Sequence, residues 1–199
     1  MIQELELSAG FTIHKGHDNE FNEIKDECIK YAKLNDSFVL YSKSQTRGNS
    51  IWIEINAKCF LQINEKIKNY VERISNRKFT NYAEHFWIYT QTKGFDMEWM
   101  HQHLLVHPPG RSNIKTDFTF TYYLQTPKDI KGDEGHIVFE TEDKIKHKFL
   151  PQEGDFFIFP ADIRHTAIPT PNSELDRIVY AGNFCLDVEN QVKYISNTI

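Results

Sequence analysis

The feature that most constrains this 199-residue chain is a change in hydrophobic periodicity near residues 76–78. Upstream of that point, apolar residues recur at steps of three and four, which is the spacing of an amphipathic helix. Downstream, short apolar runs alternate with turn sequences rich in glycine and proline, which is typical of β-strands. The two helical sets are Phe21, Ile24, Cys28 and Ala32, and then Phe60, Ile63, Ile67, Tyr70 or Val71, and Ile74.

The downstream half contains many closely spaced strand candidates, a pattern that indicates a sandwich or barrel. The length fits one domain, so we predict an α+β fold in a single domain over residues 1–199. In this prediction residues 1–80 are mainly helical support and residues 81–199 form a jelly-roll-like β core. The strand candidates are Phe86–Thr90, Trp99–Leu105, Thr116–Gln125, His136–Glu140, Lys146–Leu150, Asp155–Pro160, His165–Ile168 and Arg177–Leu186, with two shorter ones at Phe38–Tyr41 and Ile51–Ile53.

Composition limits the environment and the partners. A net charge of −5 and a pI near 6.0 argue against general nucleic-acid binding or attachment to an anionic membrane. No apolar run is long enough to span a bilayer, and the acidic start lacks the features of a signal peptide. Three widely spaced cysteines, Cys28, Cys59 and Cys185, are typical of reduced thiols, so we expect a cytoplasmic protein.

Three histidines form the candidate metal site. His101 and His103 are two residues apart on a predicted strand, so their side chains leave the same face. His165 follows the apolar strand 155–160 and a short turn. Imidazoles that converge on one point suit iron, copper, zinc or nickel. The alternative is that these histidines are incidental, because a chain with nine histidines produces such a pair by chance fairly often.

Arg177 is the candidate anion-binding residue. It begins a predicted strand twelve residues after His165, and on that strand it shares a face with Val179 and Ala181. An arginine inside a barrel requires an anion, and its planar guanidinium can bind a carboxylate through two parallel hydrogen bonds. A salt bridge to an acidic residue such as Asp155, or simple exposure to solvent, is the alternative interpretation.

From about residue 82 to residue 186, the order of these features resembles the iron(II)- and 2-oxoglutarate-dependent oxygenases, especially their prolyl-hydroxylase-like branch. The resemblance extends over roughly a hundred residues, and its elements occur in the family's order. They are Phe86–Thr90 with the turn Lys93-Gly94, then Met100-His101-Gln102-His103, the tyrosine-bearing strand Thr119–Gln125, the segment Glu134–Phe139, the approach Pro151–Pro160 to His165, and Arg177.

The resemblance implies a double-stranded β-helix that binds Fe(II), 2-oxoglutarate and O2 and hydroxylates a peptidyl or small-molecule substrate. By its pattern, the metal ligands are His101, His103 and His165. Arg177 then holds the distal carboxylate of 2-oxoglutarate, and a hydroxyl near it comes from Tyr123, Tyr89 or Thr119. Of the adjacent pair Tyr122 and Tyr123, only one can face the pocket, and the pattern favours Tyr123.

Two departures from the family pattern bear on the site. The second metal ligand of the family is normally a carboxylate, and His103 occupies its place here. Asp96 and Glu98 would face away from His101 on a regular strand, whereas Asp117 remains an alternative ligand. The residue two positions after the family's arginine is often serine or threonine, and here it is Val179.

Two other functions are compatible with the sequence. One is a cupin-like metal dioxygenase or isomerase with three histidines that does not use 2-oxoglutarate. The other is a non-enzymatic jelly-roll module for structure or carbohydrate binding, which would hold no stoichiometric metal. The position of Arg177 after the last histidine favours the 2-oxoglutarate enzyme.

Overall fold

The computed structural model describes residues 2–8, 10–35, 49–52, 57–77, 82–94, 99–106 and 114–186. The strand predicted at Phe38–Tyr41 lies outside these residues. The helices are α1 (Lys25–Asn35) and α2 (Lys58–Ser75), with a 3-10 helix at Phe21–Glu23. The strands are β1 (Ile2–Ser8), β2 (Phe11–His17), β3 (Asn49–Trp52), β4 (Tyr82–Gln91), β5 (Leu105–Val106), β6 (Ile114–Lys115), β7 (Phe118–Gln125), β8 (Ile137–Glu140), β9 (Lys146–Phe149), β10 (Asp155–Pro160), β11 (Arg164–Ala167) and β12 (Arg177–Leu186).

Both predicted helices form where the apolar spacing placed them. The apolar stripe of α2 is buried, and the helix ends at Asn76, whose left-handed φ of 53° is a common way to stop a helix. Helix α1 buries Cys28 and Ala32 in the same cluster. The sequence prediction of two packing helices is therefore confirmed.

The helices pack on one face of a seven-stranded sheet, which we call the main sheet. Its order is β1-β2-β10-β7-β12-β4-β3, and every neighbouring pair is antiparallel. Residues alternate between its two faces, as the strand period of two requires. Phe120 and Tyr180 belong to the apolar cluster that also contains Phe60 and Ile63 of α2. We call this the outer face of the main sheet.

The N-terminal residues correct one part of the sequence prediction. Residues 1–80 were predicted to be mainly helical support, and no strand was predicted before residue 38, but β1 and β2 form a hairpin that extends the main sheet beside β10. Gly16 of β2 makes this close pairing possible, because a Cβ at that position would lie 2.1 Å from the ring of Phe156. Ile2–Ser8 and Phe11–His17 therefore belong to the same sheet as the C-terminal strands.

A second, three-stranded antiparallel sheet, β11-β8-β9, packs against the other face of the main sheet. We call that face of the main sheet the inner face. Ile137 and Phe139 of the small sheet share a buried cluster with Tyr123, Phe157 and Val179 of the main sheet. Two mostly antiparallel sheets packed in this way, with few helices, form a jelly-roll-like architecture.

The segment around the paired histidines departs from the strand predicted at Trp99–Leu105. Regular strand structure in this region is limited to β5, and residues 102–104 have none. His101 instead forms an isolated antiparallel bridge with His165 of β11, which attaches this segment to the edge of the small sheet.

The described part of the chain places all three cysteines in buried positions as free thiols. None of the helices in the described ranges is both long enough and apolar enough to cross a membrane.

Candidate metal centre

The three predicted histidines lie together between the two sheets. One nitrogen from each of His101, His103 and His165 lies within 4.8 Å of those of the other two. Their ring centroids are 4.4 Å apart for His101 and His165, 4.9 Å for His101 and His103, and 5.1 Å for His103 and His165. His165 is buried, while the other two are half-buried, so the cluster opens toward solvent on their side.

Backbone pairing brings the histidines together. The N–H of His101 donates to the carbonyl of His165 at 2.9 Å, and the N–H of His165 donates back at 2.8 Å. Residues paired in this way project their side chains from the same face of the sheet. The N–H of His103 donates to the carbonyl of Ala161 at 2.9 Å, which holds the third imidazole beside the other two.

Two of the imidazoles are oriented by backbone carbonyls two residues earlier in the chain. Nδ1 of His101 lies 2.9 Å from the carbonyl oxygen of Trp99, and Nδ1 of His165 lies 3.0 Å from that of Ile163. A carbonyl oxygen can only accept, so Nδ1 carries the proton and donates it. This tautomer leaves the lone pair on Nε2, the arrangement that ligating histidines in proteins use.

The environment of His165 keeps its imidazole neutral. Burial holds the pKa of His165 well below its ordinary value, and the nearby imidazoles of His101 and His103 lower this pKa further. A neutral imidazole has a lone pair available for a metal ion, whereas a protonated one does not.

His103 connects the histidine cluster to the main sheet. Its ring stacks on the indole of Trp87, with centroids 5.3 Å apart and planes inclined by 19°. Trp87 pairs with Ala181 of β12, and both residues lie on the inner face. The cluster therefore faces the inner side of β4 and β12, where Arg177 also lies.

The other metal ligands considered from the sequence are placed as follows. Oδ2 of Asp117 accepts a hydrogen bond from the backbone N–H of Leu186 at 2.6 Å, and Asp117 is not part of the histidine cluster. Asp96 and Glu98 lie outside the described residues.

Arg177 is buried, with 2 % of its surface exposed. Its Nη1 donates to Oε1 of Gln91 at 3.1 Å, and its guanidinium carbon lies 5.3 Å from the ring centre of Tyr123. Nε of Arg177 is buried and has no hydrogen-bond partner within the described ranges. Among the described residues, no carboxylate forms an ion pair with Arg177; Asp155, the partner considered from the sequence, instead pairs with Lys15 and His17.

The structure brings two of the three predicted hydroxyl residues to Arg177. Tyr123 lies against the guanidinium, and the hydroxyl of Tyr89 is linked to Arg177 through the Gln91 side chain. Thr119 is not brought there. It pairs with Asn183, six residues along β12 from Arg177 and hence about 20 Å away along the strand.

The two adjacent tyrosines of β7 occupy opposite faces of the main sheet. Tyr122 lies on the outer face, where its hydroxyl donates to Asp18 at 2.9 Å. Tyr123 lies on the inner face. The alternation of a regular strand thus separates the two rings.

Sequence reasoning missed Gln91, whose side chain is 1 % exposed and bridges Tyr89 and Arg177. A signal was present, because Gln91 stands two residues after Tyr89 and therefore shares its face of the strand. Its pairing with Arg177 across β4 and β12 depends on a register that the local sequence does not contain.

Comparison with solved structures identifies the fold. The chain aligns with a Pseudomonas putida prolyl-4-hydroxylase at a TM-score of 0.64 and 15 % identity, over 89 % of this chain and 94 % of that one. It aligns with a viral collagen prolyl hydroxylase of Paramecium Bursaria Chlorella virus-1, solved as a 2-oxoglutarate complex, at 0.62 and 15 %, over 90 % and 98 %. A Trichoplax adhaerens prolyl hydroxylase in complex with a hypoxia inducible factor peptide gives 0.63 and 17 %, over 89 % and 86 %.

No protein-family model and no curated protein sequence matches this chain. The structural comparisons nevertheless give a clear fold: it is that of the 2-oxoglutarate- and iron-dependent oxygenases, and it is prolyl-hydroxylase-like. The resemblance inferred from the sequence motifs is confirmed at this level. Because a fold does not fix a function, the activity has to be argued from the site itself.

Proposed function

We propose that this protein is an iron(II)- and 2-oxoglutarate-dependent dioxygenase built on a double-stranded β-helix. The observation that carries the proposal is Arg177, a buried cation that has no carboxylate partner among the described residues and lies on the face toward the three histidines. A buried charge is costly unless an opposite charge compensates it. A dicarboxylate cosubstrate would supply that charge.

The donor set fits iron(II). Imidazole nitrogen is a good ligand for this metal, and three neutral imidazoles would leave further coordination positions open. His101, His103 and His165 would hold the ion, with Nδ1 of the first and third fixed by carbonyl groups. When bound, iron and 2-oxoglutarate supply the oxidative chemistry, in which O2 and the cosubstrate give succinate, CO2 and a hydroxylated substrate.

The protein's own residues bind and orient the cosubstrate. Arg177 would bind the distal carboxylate through paired N–H donors, since a guanidinium matches a carboxylate in two-point geometry. The ring of Tyr123 limits the position of the guanidinium from one side. Tyr123 and Val179 belong to a buried apolar cluster on this face, which would exclude water and strengthen the charge interaction.

The histidine at position 103 changes the charge of the site. With three neutral imidazoles, the metal centre would be one unit more positive than with two histidines and a carboxylate. This charge favours an anionic cosubstrate. The substrate that we propose is a peptidyl or small-molecule C–H group, and the Trichoplax adhaerens prolyl hydroxylase of similar fold was solved with a peptide fragment bound.

The proposal is tested by adding iron(II) and 2-oxoglutarate without oxygen, exposing the sample to air and measuring succinate. We expect succinate to form in the wild type and to be much reduced in Arg177→Ala. A wild-type protein that is fully loaded with iron but neither binds 2-oxoglutarate nor forms succinate would refute the proposal.

One observation favours a second candidate function. A cluster of three imidazoles without a carboxylate suits a cupin-like metal dioxygenase or isomerase that does not use 2-oxoglutarate. Such a protein would bind one metal ion but show no affinity for 2-oxoglutarate by calorimetry. A non-enzymatic module would instead purify without stoichiometric metal, so elemental analysis and one titration separate the three cases.

A further inference from the structure

Gln91 lies next to Arg177 at the end of β4, where the two residues are paired across the strands. Oε1 of Gln91 accepts a hydrogen bond from Nη1 of Arg177 at 3.1 Å. Nε2 of the same amide donates to the hydroxyl of Tyr89 at 3.1 Å. The amide is therefore held on both sides, with one group fixing its acceptor end and the other its donor end.

An amide is suited to this position because it accepts a hydrogen bond without carrying charge. A carboxylate at the same place would form a buried salt bridge with the guanidinium and satisfy its need for an anion. Gln91 instead occupies one donor of Arg177 without neutralising it, and no carboxylate among the described residues pairs with the guanidinium. The buried Nε, which has no hydrogen-bond partner among the residues that the structure describes, remains available to a ligand.

The next residue on the same face of β12 does not hydrogen-bond Arg177 through its side chain. Val179, two positions after Arg177, is 4 % exposed and apolar, so it offers no hydroxyl beside the guanidinium. Val179 pairs with Tyr89, whose hydroxyl is bonded to Gln91. The polar support of Arg177 thus comes from β4 rather than from its own strand.

We propose that Gln91 is a positioning and specificity-determining residue for the carboxylate end of the cosubstrate, because it orients Arg177 without neutralising it. This inference rests on the function proposed above. It predicts that Gln91→Glu, which replaces the side-chain NH2 group by an oxygen atom and changes the shape little, prevents dicarboxylates from binding. It also predicts that an apolar side chain of similar length has a smaller effect.

The experiment measures 2-oxoglutarate affinity by calorimetry on iron(II)-loaded protein without oxygen, for the wild type, Gln91→Glu and Gln91→Met. Gln91→Met loses one hydrogen bond, and we expect affinity to fall by about two- to tenfold. Gln91→Glu supplies an internal counterion, and we expect a fall of about a hundredfold or more, because a charged interaction is lost and a repulsion is added. Equal affinity in the wild type and Gln91→Glu would overturn the inference.

A matched control is Asn64→Asp. Asn64 is a buried amide in α2 on the outer side of the main sheet, and its Oδ1 accepts from the hydroxyl of Tyr180 at 2.6 Å. This variant buries a new carboxylate away from Arg177, so it should leave 2-oxoglutarate affinity unchanged. If it lowers affinity as much as Gln91→Glu does, the effect is one of general stability and the inference fails.

Thermal denaturation separates this inference from the proposed function. In Gln91→Glu the new carboxylate pairs with an existing buried cation, so the melting temperature should rise by about 2–4 °C or more, whereas Asn64→Asp should melt lower. If the wild type does not bind 2-oxoglutarate but Gln91→Glu is stabilised, the proposed function fails while the role of Gln91 in holding an uncompensated Arg177 stands. If Gln91→Glu is not stabilised, that role is refuted whatever the cosubstrate.

Discussion

His101 and His165 lie directly opposite each other, and each backbone N–H donates to the carbonyl oxygen of the other, at 2.9 and 2.8 Å. Because of this reciprocal pairing, both imidazoles project from the same face, and their ring centroids lie 4.4 Å apart. Two of the three proposed ligands are therefore fixed by main-chain hydrogen bonds. A substitution of either side chain should leave this backbone pairing in place, so metal binding can be tested without loss of the fold.

The first prediction concerns His165. His165→Ala should remove the Nε2 donor and reduce iron affinity by more than the roughly ten- to hundredfold loss typical of a supporting residue. Elemental analysis measures the metal, and far-UV circular dichroism shows whether the fold persists. His136→Ala is the matched control, because His136 bonds the carbonyl of Asp133 and is outside the cluster. Full iron occupancy in His165→Ala would exclude it as a ligand.

The second prediction concerns His103, which stands where the family pattern has a carboxylate. His103→Asp should retain iron and hold it more tightly, because an anionic ligand offsets the charge of the metal. His103→Ala should weaken iron binding through loss of one of three donors. Competition with a chelator measures all three affinities. Wild-type affinity in His103→Ala would mean that His103 is not a ligand and that another group completes the site.

The third prediction concerns Arg177. Arg177→Ala should weaken 2-oxoglutarate binding by about ten- to hundredfold or more, the value of a charged hydrogen bond, while iron remains bound. Arg177→Lys should recover only part of the affinity, since lysine lacks the two-point geometry. The control is Arg73→Ala, which removes a positive charge from α2 instead. Calorimetry should show that this variant binds 2-oxoglutarate with wild-type affinity. Unchanged affinity in Arg177→Ala would contradict the assignment.

The fourth prediction concerns packing on the outer face of the main sheet. A Cβ at Gly182 would lie 2.2 Å from Cδ1 of Phe86 and 2.7 Å from Cε1 of Phe120. Gly182→Ala should therefore lower the free energy of unfolding by about 1–3 kcal/mol or more, measured with urea. Phe86→Leu should lower the free energy of unfolding less in the Gly182→Ala background than in the wild type, because the smaller leucine side chain relieves the clash with the new Cβ. Strict additivity of the two changes would count against the clash.

The fifth prediction is a loss of stability at alkaline pH. Burial raises the pKa of the Cys185 thiol from 9.0 to about 12, so the folded protein holds this proton more tightly than the unfolded chain does. The stabilisation is complete below pH 9 and decreases between pH 9 and about 12, by about 1.4 kcal/mol per pH unit for this thiol. Urea unfolding across this range should show a shallower decline in Cys185→Ala. The same slope in both proteins would contradict the prediction.

Much of the site could be predicted from the sequence because strand alternation is local. The period of two places Arg177 and Val179 on one face of β12, and it separates Tyr122 from Tyr123 on β7. The spacing of apolar residues likewise placed α2, because a helix buries one stripe whatever it packs against. These features depend only on residues a few positions apart.

Other features required the pairing of distant segments. The hairpin of β1 and β2 joins the main sheet beside β10, a partner more than a hundred residues away, and local composition did not reveal it. Thr119 lies on the same face of β7 as Tyr123. It is nevertheless far from Arg177, because the register of β7 with β12 places Thr119 opposite Asn183.

The sequence by itself determined which residue types were available and which face of each strand they occupy: the histidine pair, the distal histidine, and an arginine that needs an anion. Only the tertiary structure decided which residues contact those faces. It paired His165 of β11 with His101, which lies outside the regular strands, and it placed Gln91 rather than Thr119 beside Arg177. The physical reason is that periodicity is set by backbone geometry within a strand, whereas register depends on packing summed over the whole core.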